Sequence, residues 1–331
     1  MDIAVVILNW NGKHLLEEYL PDVVQNSEEA TIYVVDNASK DDSVAYLKQN
    51  HPNVKLIQLM DNQGYAGGYN IALEQVDEPI QILMNNDVRP AEGWLRPIIR
   101  CFQEEKDVAA LQPKILADAQ KDHFEYAGAC GGYIDHLGYP YCRGRLFYHL
   151  EKDEGQYDDE VDIFWASGAC LAIRKEIFIR VNGFDEDFFA HQEEIDLCWR
   201  IKNLGYQIKV LPTSVVYHLG GGTLNKLNPK KTYYNFRNSL FNLLKNAPYK
   251  HYKKLIIKRM LLDAIAFLHF FLLLRWKHAF MVLRAHFDYY GYKKRMLNKR
   301  RSSYTIDDYY HTKNIVFKFF VQRKKRFMDI N

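Results

Sequence analysis

The sequence predicts an α/β protein: a mostly parallel sheet with helices on both faces, followed by a C-terminal helical extension. Three observations carry this. Short, wholly apolar runs alternate with helical patterns up to Asp87, and strands that are apolar on both faces belong to parallel sheets covered by helices. Polar clusters follow these runs, at the carboxyl ends where open α/β sheets bind ligands. Finally, residues 1–224 hold 19 Lys and Arg against 36 Asp and Glu, a net −17, while residues 225–331 hold 25 against 5, a net +20. The chain's +3 therefore averages two differently charged regions, and the basic one is suited to an anionic surface.

The elements follow in order. Residues 3–8 form the first strand and run into Asn9-Trp10-Asn11-Gly12, with a helix over 13–26. Residues 31–35 are the second strand, ending in Asp36-Asn37-Ala38-Ser39; Ser39 or Asp41 can cap a helix that stops near Asn50, before Pro52. Residues 54–59 are the third strand, and the glycine-rich stretch 62–70 opens a helix to Val76. Residues 80–84 are the fourth strand, tipped by Asn85-Asn86-Asp87. The stretch 108–216 is less regular, with one strong helical pattern from Asp187 to Leu204. After Gly220-Gly221-Gly222-Thr223 the chain turns helical, aromatic and basic, which divides it into a domain at 1–224 and an extension at 225–331.

Composition narrows the class. With 48% hydrophobic and 26% charged residues the chain is globular, and 18 Gly and 10 Pro exclude collagen-like and low-complexity classes. Five cysteines without a CxxC pair read as reduced thiols of a cytosolic protein, not as a disulfide framework or zinc site. Met1-Asp2-Ile3 leads directly into a strand, so no signal peptide is expected.

Several clusters carry chemistry. Asp36 can accept hydrogen bonds from a ribose or base, or simply form an Asx turn. The 62–70 loop does not fit GxGxxG and no GxxxxGK[ST] occurs, which disfavours both a Rossmann site and a P-loop. Asp87 offers a charged oxygen, and Asn85 a neutral one, to a hard divalent cation on a diphosphate. Glu193, Glu194 and Asp196 crowd a helix start between Phe188, Phe189 and Trp199. They are either a complement to the helix dipole or a general base in a sugar pocket. An Asp196–Arg200 pair at i, i+4 fits a structural role. His218 is a strand-end metal ligand or a polar terminus.

Taken together, these residues resemble the family 2 glycosyltransferases of the GT-A fold, especially the rhamnosyltransferase-like branch that builds bacterial surface polysaccharides. The matching pieces, in the family's order, are VVILNWNG at 5–12, VVDNASKDDS at 34–43, NQGYAGGYN at 62–70, LMNNDV at 83–88, WASGACLAIRKEIF at 165–178, GFDEDFFAHQEEIDLCWR at 183–200 and VYHLGGGT at 216–223. The resemblance implies that Asn9 and Asp36 line the uridine or thymidine pocket, with Gln63, Gly64 and Asn86 on the donor side. It implies that Asp87 is the last acid of the DxD motif, holding Mg²⁺ or Mn²⁺ on the diphosphate with Asn85 and His218. Asn85 stands where that motif has Asp. Glu194 matches the catalytic base, with Glu193 and Asp196 as neighbouring candidates. Ser167, Gly168 and Ala169 match the acceptor side, and Trp199 is expected there too.

The implied activity is an inverting, metal-dependent transfer from a dTDP- or UDP-sugar to a glycan or lipid-linked acceptor. Rival readings are a sugar nucleotidyltransferase, and a non-catalytic membrane-associated scaffold with a decayed donor site. In the extension, residues 260–274 read MLLDAIAFLHFFLLL between basic flanks. A 15-residue helix would be about 22 Å long, short of a hydrocarbon core of about 30 Å. A helix lying on an anionic membrane surface, at the inner face of the cell membrane, fits better. Packing against the catalytic domain or a second copy is the alternative, and no nucleic-acid motif accompanies the basic residues.

Overall fold

A computed structural model describes residues 1–220, 228–301 and 305–330. The strands β1 (Ile3–Asn9), β2 (Thr31–Asp36), β3 (Lys55–Gln58) and β4 (Ile80–Asn85) alternate with helices α1 (Lys13–Asn26), α2 (Ser43–Asn50) and α3 (Gly64–Glu74). β1 is buried along almost its whole length, as expected of a strand covered on both faces. Next come β5 (Val88–Pro90), α4 (Leu95–Glu104), β6 (Val108–Ala117) and β7 (Gln120–Phe124). Leu95, Ile98, Cys101 and Phe102 give α4 its buried stripe at helical spacing. A small antiparallel sheet follows, with β8 (Gly132–Ile134), β9 (Pro140–Cys142), β10 (Arg145–Leu146) and β11 (His149–Leu150).

The chain then returns through β12 (Val161–Asp162), β13 (Cys170–Arg174), α5 (Lys175–Arg180), α6 (Glu193–Asn203) and β14 (Gln207–His218). The main sheet runs β12-β14-β6-β13-β4-β1-β2-β3. β4, β1, β2 and β3 are parallel, and β13 is antiparallel to both β4 and β6. This is the GT-A architecture. All five cysteines are free and buried.

The helical pattern expected from Asp187 to Leu204 is interrupted. A 3₁₀ turn covers Glu186–Phe188, then Phe189, His191 and Gln192 take positive φ before α6 begins at Glu193. Left-handed residues cannot continue a right-handed helix. Beyond the sheet come α7 (Pro229–Asn246), α8 (Tyr252–Leu272) and α9 (Trp276–Asn298). α8 is longer than the apolar run suggested because its basic N-terminal flank, Lys253 to Arg259, is helical too. No helix among the described residues is long and apolar enough to cross a membrane.

Residues after α9 pack back against the main body. Thr312 pairs with Asp135, and Tyr309, Ile315, Phe319, Phe327 and Ile330 are buried in the core that includes Trp165 and Trp199. Residues 221–227, which hold two of the three glycines and the expected boundary at 224, lie outside the described residues.

Candidate active site

The tips of β1 and β2 lie side by side, with Asn9 opposite Asp36 in register. Both side chains are buried, and each keeps a polar atom without a partner: Asn9 Nδ2 and Asp36 Oδ1. Buried polar atoms are normally satisfied, so this pair suits a ligand that brings its own donors and acceptors. Asn86 Nδ2 donates to Asn9 Oδ1 at 2.8 Å, holding the β4 tip against the β1 tip. Gly12 is required there, because a Cβ would sit 2.4 Å from both Asn86 Nδ2 and Asn9 Oδ1. Asn37 carries the loop opposite. Its Oδ1 accepts from Gln63 N at 2.8 Å and its Nδ2 donates to Gly64 O at 3.0 Å.

At the end of β4, Asp87 meets His218 at the end of β14, with Oδ1 and Nε2 3.1 Å apart. Asn85 Nδ2 is 3.5 Å from the same nitrogen. On the ring's other side, Glu125 Oε2 stands 3.1 Å from Nδ1, close enough for an ion pair though off the line of a good hydrogen bond. Burial opposes a charge on His218, but the hydrogen bond to Asp87 and the negative charges of Asp87 and Glu125 outweigh it and raise the imidazole to about 10. Gly220 closes the site at φ +71°, where a Cβ would lie 2.6 Å from Glu125 Oε1.

These residues fit a divalent cation. Two ligands about 2.1 Å from one octahedral ion stand about 3 Å apart, close to the Asp87–His218 separation. Glu125 then orients the imidazole from behind, as carboxylates do for metal-bound histidines. His218 would give up its proton on binding. Among the described residues no group of three or more His, Cys, Asp or Glu side chains could hold an ion. The remaining ligands would come from a diphosphate and water.

A third group stands on the first turn of α6. Glu193 is buried with Oε2 unpartnered; burial, and then the charge of Glu194, push its carboxyl well above the usual range. Glu194 is half-buried, and desolvation raises its carboxyl to about 7. Tyr65 links this group to the rest. It feels the charge of both glutamates, its hydroxyl donates to Gly168 O at 2.8 Å, and next along the chain Ala169 O accepts from Asn85 N at 3.0 Å. Ser167 is buried, and its Oγ accepts from Ala169 N at 3.2 Å. Direct hydrogen bonds thus join Asn85, beside the Asp87–His218 pair, through the 167–169 segment to Tyr65, which lies within the electrostatic reach of the two glutamates.

The strained approach to α6 is held by α7. Arg237 donates to the carbonyls of Asp187 and Phe188 at 2.8 and 2.9 Å. Asn238 Nδ2 lies within 3.0 Å of three carbonyl oxygens, those of Phe188, Ala190 and His191. Gln192 Nε2 donates back to Ser239 Oγ at 3.0 Å. Left-handed backbone at a non-glycine residue costs about 1–3 kcal/mol and persists only where its surroundings enforce it.

The sequence profile described as Glycosyl transferase family 2 matches residues 4–181, more than half of the chain. The chain belongs to that family. Among its curated relatives is the N-acetylglucosaminyl-diphospho-decaprenol L-rhamnosyltransferase of Mycobacterium tuberculosis, 25% identical over 233 residues, covering 65% of this chain and 75% of that one. Rhamnosyltransferase WbbL of Escherichia coli is 24% identical over 225 residues, covering 65% and 83%. The dTDP-rhamnosyl transferase RfbF of Shigella flexneri is 25% identical, covering 65% and 71%. Solved structures share the fold. GalNAc-T7 with UDP, GalNAc and Mn²⁺ superposes with TM-score 0.60 at 16% identity, over 76% of this chain and half of that one. The mannosyltransferase PcManGT from Pyrobaculum calidifontis, in complex with GDP-Man and Mn²⁺, gives 0.54 at 14%, over 87% and 86%.

Two expected site residues of this glycosyltransferase lie elsewhere. Asp196 is fully buried, and Arg200, Lys245 and Asn246 occupy its oxygens at 2.8–2.9 Å. Despite burial, those cations keep its carboxyl below the usual range. With no free lone pair aimed at a cleft, it is a structural anchor, which leaves Glu193 and Glu194. Trp199 has no exposed surface and packs on Phe164 and Tyr309, so it belongs to the core and not to the acceptor side. Sequence reasoning missed Glu125, Tyr65, Arg237 and Asn238. Tyr65 lies inside a quoted motif and was within reach, whereas the other three meet the site only through the fold.

Proposed function

We propose that this glycosyltransferase is an inverting enzyme that uses Mg²⁺ or Mn²⁺ and moves a sugar from a dTDP- or UDP-linked donor. The acceptor is a glycan or lipid-linked glycan in cell-surface polysaccharide synthesis, met at the inner face of the cell membrane. The observation that carries the reading is the presence of two separate chemistries: a desolvated carboxyl pair on α6, and an acid–imidazole pair at the ends of β4 and β14. The donor class is supported by relatives described as rhamnosyl and dTDP-rhamnosyl transferases, and divalent-metal use by neighbours solved with Mn²⁺.

The chain's residues act as follows. Asn9 and Asp36 bind the nucleoside through their unpaired polar atoms. Asp87 and His218, with Asn85 beside them, would hold the cation, which when bound neutralises charge developing on the departing diphosphate. Ser167, Gly168 and Ala169 form the wall on which the acceptor rests. Glu194 takes the proton from the acceptor hydroxyl while that oxygen attacks the anomeric carbon from the face opposite the diphosphate. A carboxyl near 7 suits this work at neutral pH. Glu193, held neutral beside it, keeps the second charge out of the pocket.

Donor hydrolysis tests the reading. The protein is incubated with a panel of dTDP- and UDP-sugars, with and without Mn²⁺. Release of one nucleoside diphosphate that stops with chelator and in Asp87→Ala is expected. Hydrolysis unaffected by both would overturn the metal assignment.

A further inference from the structure

We infer that the distal end of the α8–α9 hairpin is a shallow docking wedge that enters the interface of an anionic bilayer. On α8, Ile257, Leu261, Ile265, Leu268 and Leu272 are exposed. At about 100° per residue they fall within about 80° of the helix circumference. On α9, Trp276, Phe280, Leu283, Phe287 and Tyr290 are exposed and share an equally narrow stripe. The turn joins the two stripes into one apolar surface. Leu272 and Leu274 are 78% and 76% exposed, and Phe271 stacks on Trp276 with centroids 5.9 Å apart. Isolated exposed leucines need no explanation, but a contiguous patch of this kind marks an interaction surface.

Charge selects the occupant. Lys277 lies on one flank of the α9 stripe, with Lys254 and Lys258 beside the start of that on α8; Arg284 and Arg295 share the α9 flank, where Arg284 faces Asp288 at 3.8 Å and Arg295 faces Asp187 at 2.7 Å. The two acids of the hairpin are both engaged: Asp263 with Arg259 and His286, and Asp288 with the Tyr233 hydroxyl. An apolar stripe with a net cationic rim, Asp288 being its one acid, is complementary to lipid tails beneath anionic headgroups. A second copy would set one cationic rim against another. The buried faces of both helices pack on α7, the helix that holds the approach to Glu193 and Glu194, so docking would set the acceptor side of the cleft at a fixed height above the bilayer. This deepens the proposed lipid-linked acceptor and rests on it.

The test uses the full chain and vesicles of neutral phosphatidylcholine, alone or with about 30% phosphatidylglycerol, at about 0.1 and about 1 M salt. Wild type is expected to co-sediment with the anionic vesicles and to be partly released by salt. Leu272→Glu with Leu274→Glu should weaken binding by about tenfold or more. Arg275→Glu with Lys277→Glu should abolish the preference for anionic lipid. Donor hydrolysis without vesicles should stay at the wild-type level in both variants, since these side chains are exposed at the end of the hairpin and are not among the site residues. Undiminished binding of the leucine variant, or no binding by wild type, overturns the wedge. So does a wild-type dimer that the leucine variant converts to monomer without vesicle binding, since a second copy would then cover the patch. Vesicle binding without donor hydrolysis would keep the wedge and sink the proposed function.

Discussion

Replacing Glu194 by Gln should abolish transfer and, at alkaline pH, make the protein more stable. The carboxyl sits at about 7 in the folded state against an ordinary value of 4.5, and desolvation is the cause. A raised acid binds its proton more tightly folded than unfolded. As pH rises from 4.5 to about 7 the unfolded chain releases that proton first, so stability falls across this window and stays low above it. At about 1.4 kcal/mol per pH unit the ceiling is about 3 kcal/mol. Glu194 keeps some contact with solvent, which reduces the expected cost to about 1–2 kcal/mol. Gln carries no charge and escapes the penalty. It also removes the charge that helps push Glu193 up, which acts in the same direction. Denaturant unfolding followed by tryptophan fluorescence at pH 5 and pH 8.5 reads the effect. The two proteins should lie close together at pH 5, with the variant ahead by about 1–2 kcal/mol at pH 8.5. Wild-type transfer should rise with pH through about 7, as the base ionises. A variant less stable than wild type at pH 8.5, or one that still transfers sugar, would refute the assignment of Glu194 as a desolvated base.

Three other outcomes are expected. Asp36→Asn should raise the donor KM about tenfold with kcat nearly unchanged, because the buried carboxylate contributes binding and no chemistry; a loss confined to kcat would remove Asp36 from the donor pocket. Asn238→Ala should lower kcat by about 10–100-fold, since three loop carbonyls before Glu193 lose their donor, while donor affinity measured by calorimetry stays constant. Wild-type turnover would show that the loop holds its shape alone. Gly220→Ala should cost about 1–2 kcal/mol in thermal unfolding and weaken Mn²⁺ binding, because the left-handed backbone and Glu125 both refuse a Cβ. An unchanged melting curve would argue against both.

Much of the parallel half of the sheet was legible because its signal is local. Val5, Val6 and Ile7 need no partner to read as a buried strand, and Asn9, Asp36 and Asp87 announce themselves as polar residues at strand tips. The α6 start was harder. Phe189, His191 and Gln192 occupy left-handed conformations that a reader expects to be marked by Gly or Asn, so the helical pattern reads straight through them. The reason these residues tolerate the strain lies on α7, about fifty positions away, at Arg237 and Asn238. Glu125 was missed for the same reason. It follows a short strand in an irregular region, and only the pairing of β14 with β6 brings His218 to it. Trp199 misled in the opposite sense: an aromatic beside acids suggests a sugar platform, but the helix turns it into the core.

The charge split of the sequence takes on two meanings in the fold. Part of it is neutralised inside. Asp185 and Asp196 both contact Lys245 of α7, at 2.6 and 2.9 Å, and Asp187 meets Arg295 of α9 and Lys299, just past its end, at 2.7 and 2.5 Å. Acids before and on α6 are thereby tied to cations of α7, α9 and the residue that follows α9. A buried ion pair adds little net stability over apolar packing, but leaving one partner alone is costly, so such pairs specify geometry more than they strengthen the fold. That specificity is what the strained approach to Glu193 and Glu194 requires. The cations left over, Lys253, Lys254, Lys258, Lys277, Lys293 and Lys294, are exposed on α8 and α9. One basic segment therefore has two faces: inward it holds the loop before α6, and outward it presents exposed lysines beside the apolar stripe. The proposed membrane contact at the hairpin and the proposed base on α6 are then mechanically one problem, because α7 packs on α6, α8 and α9 alike.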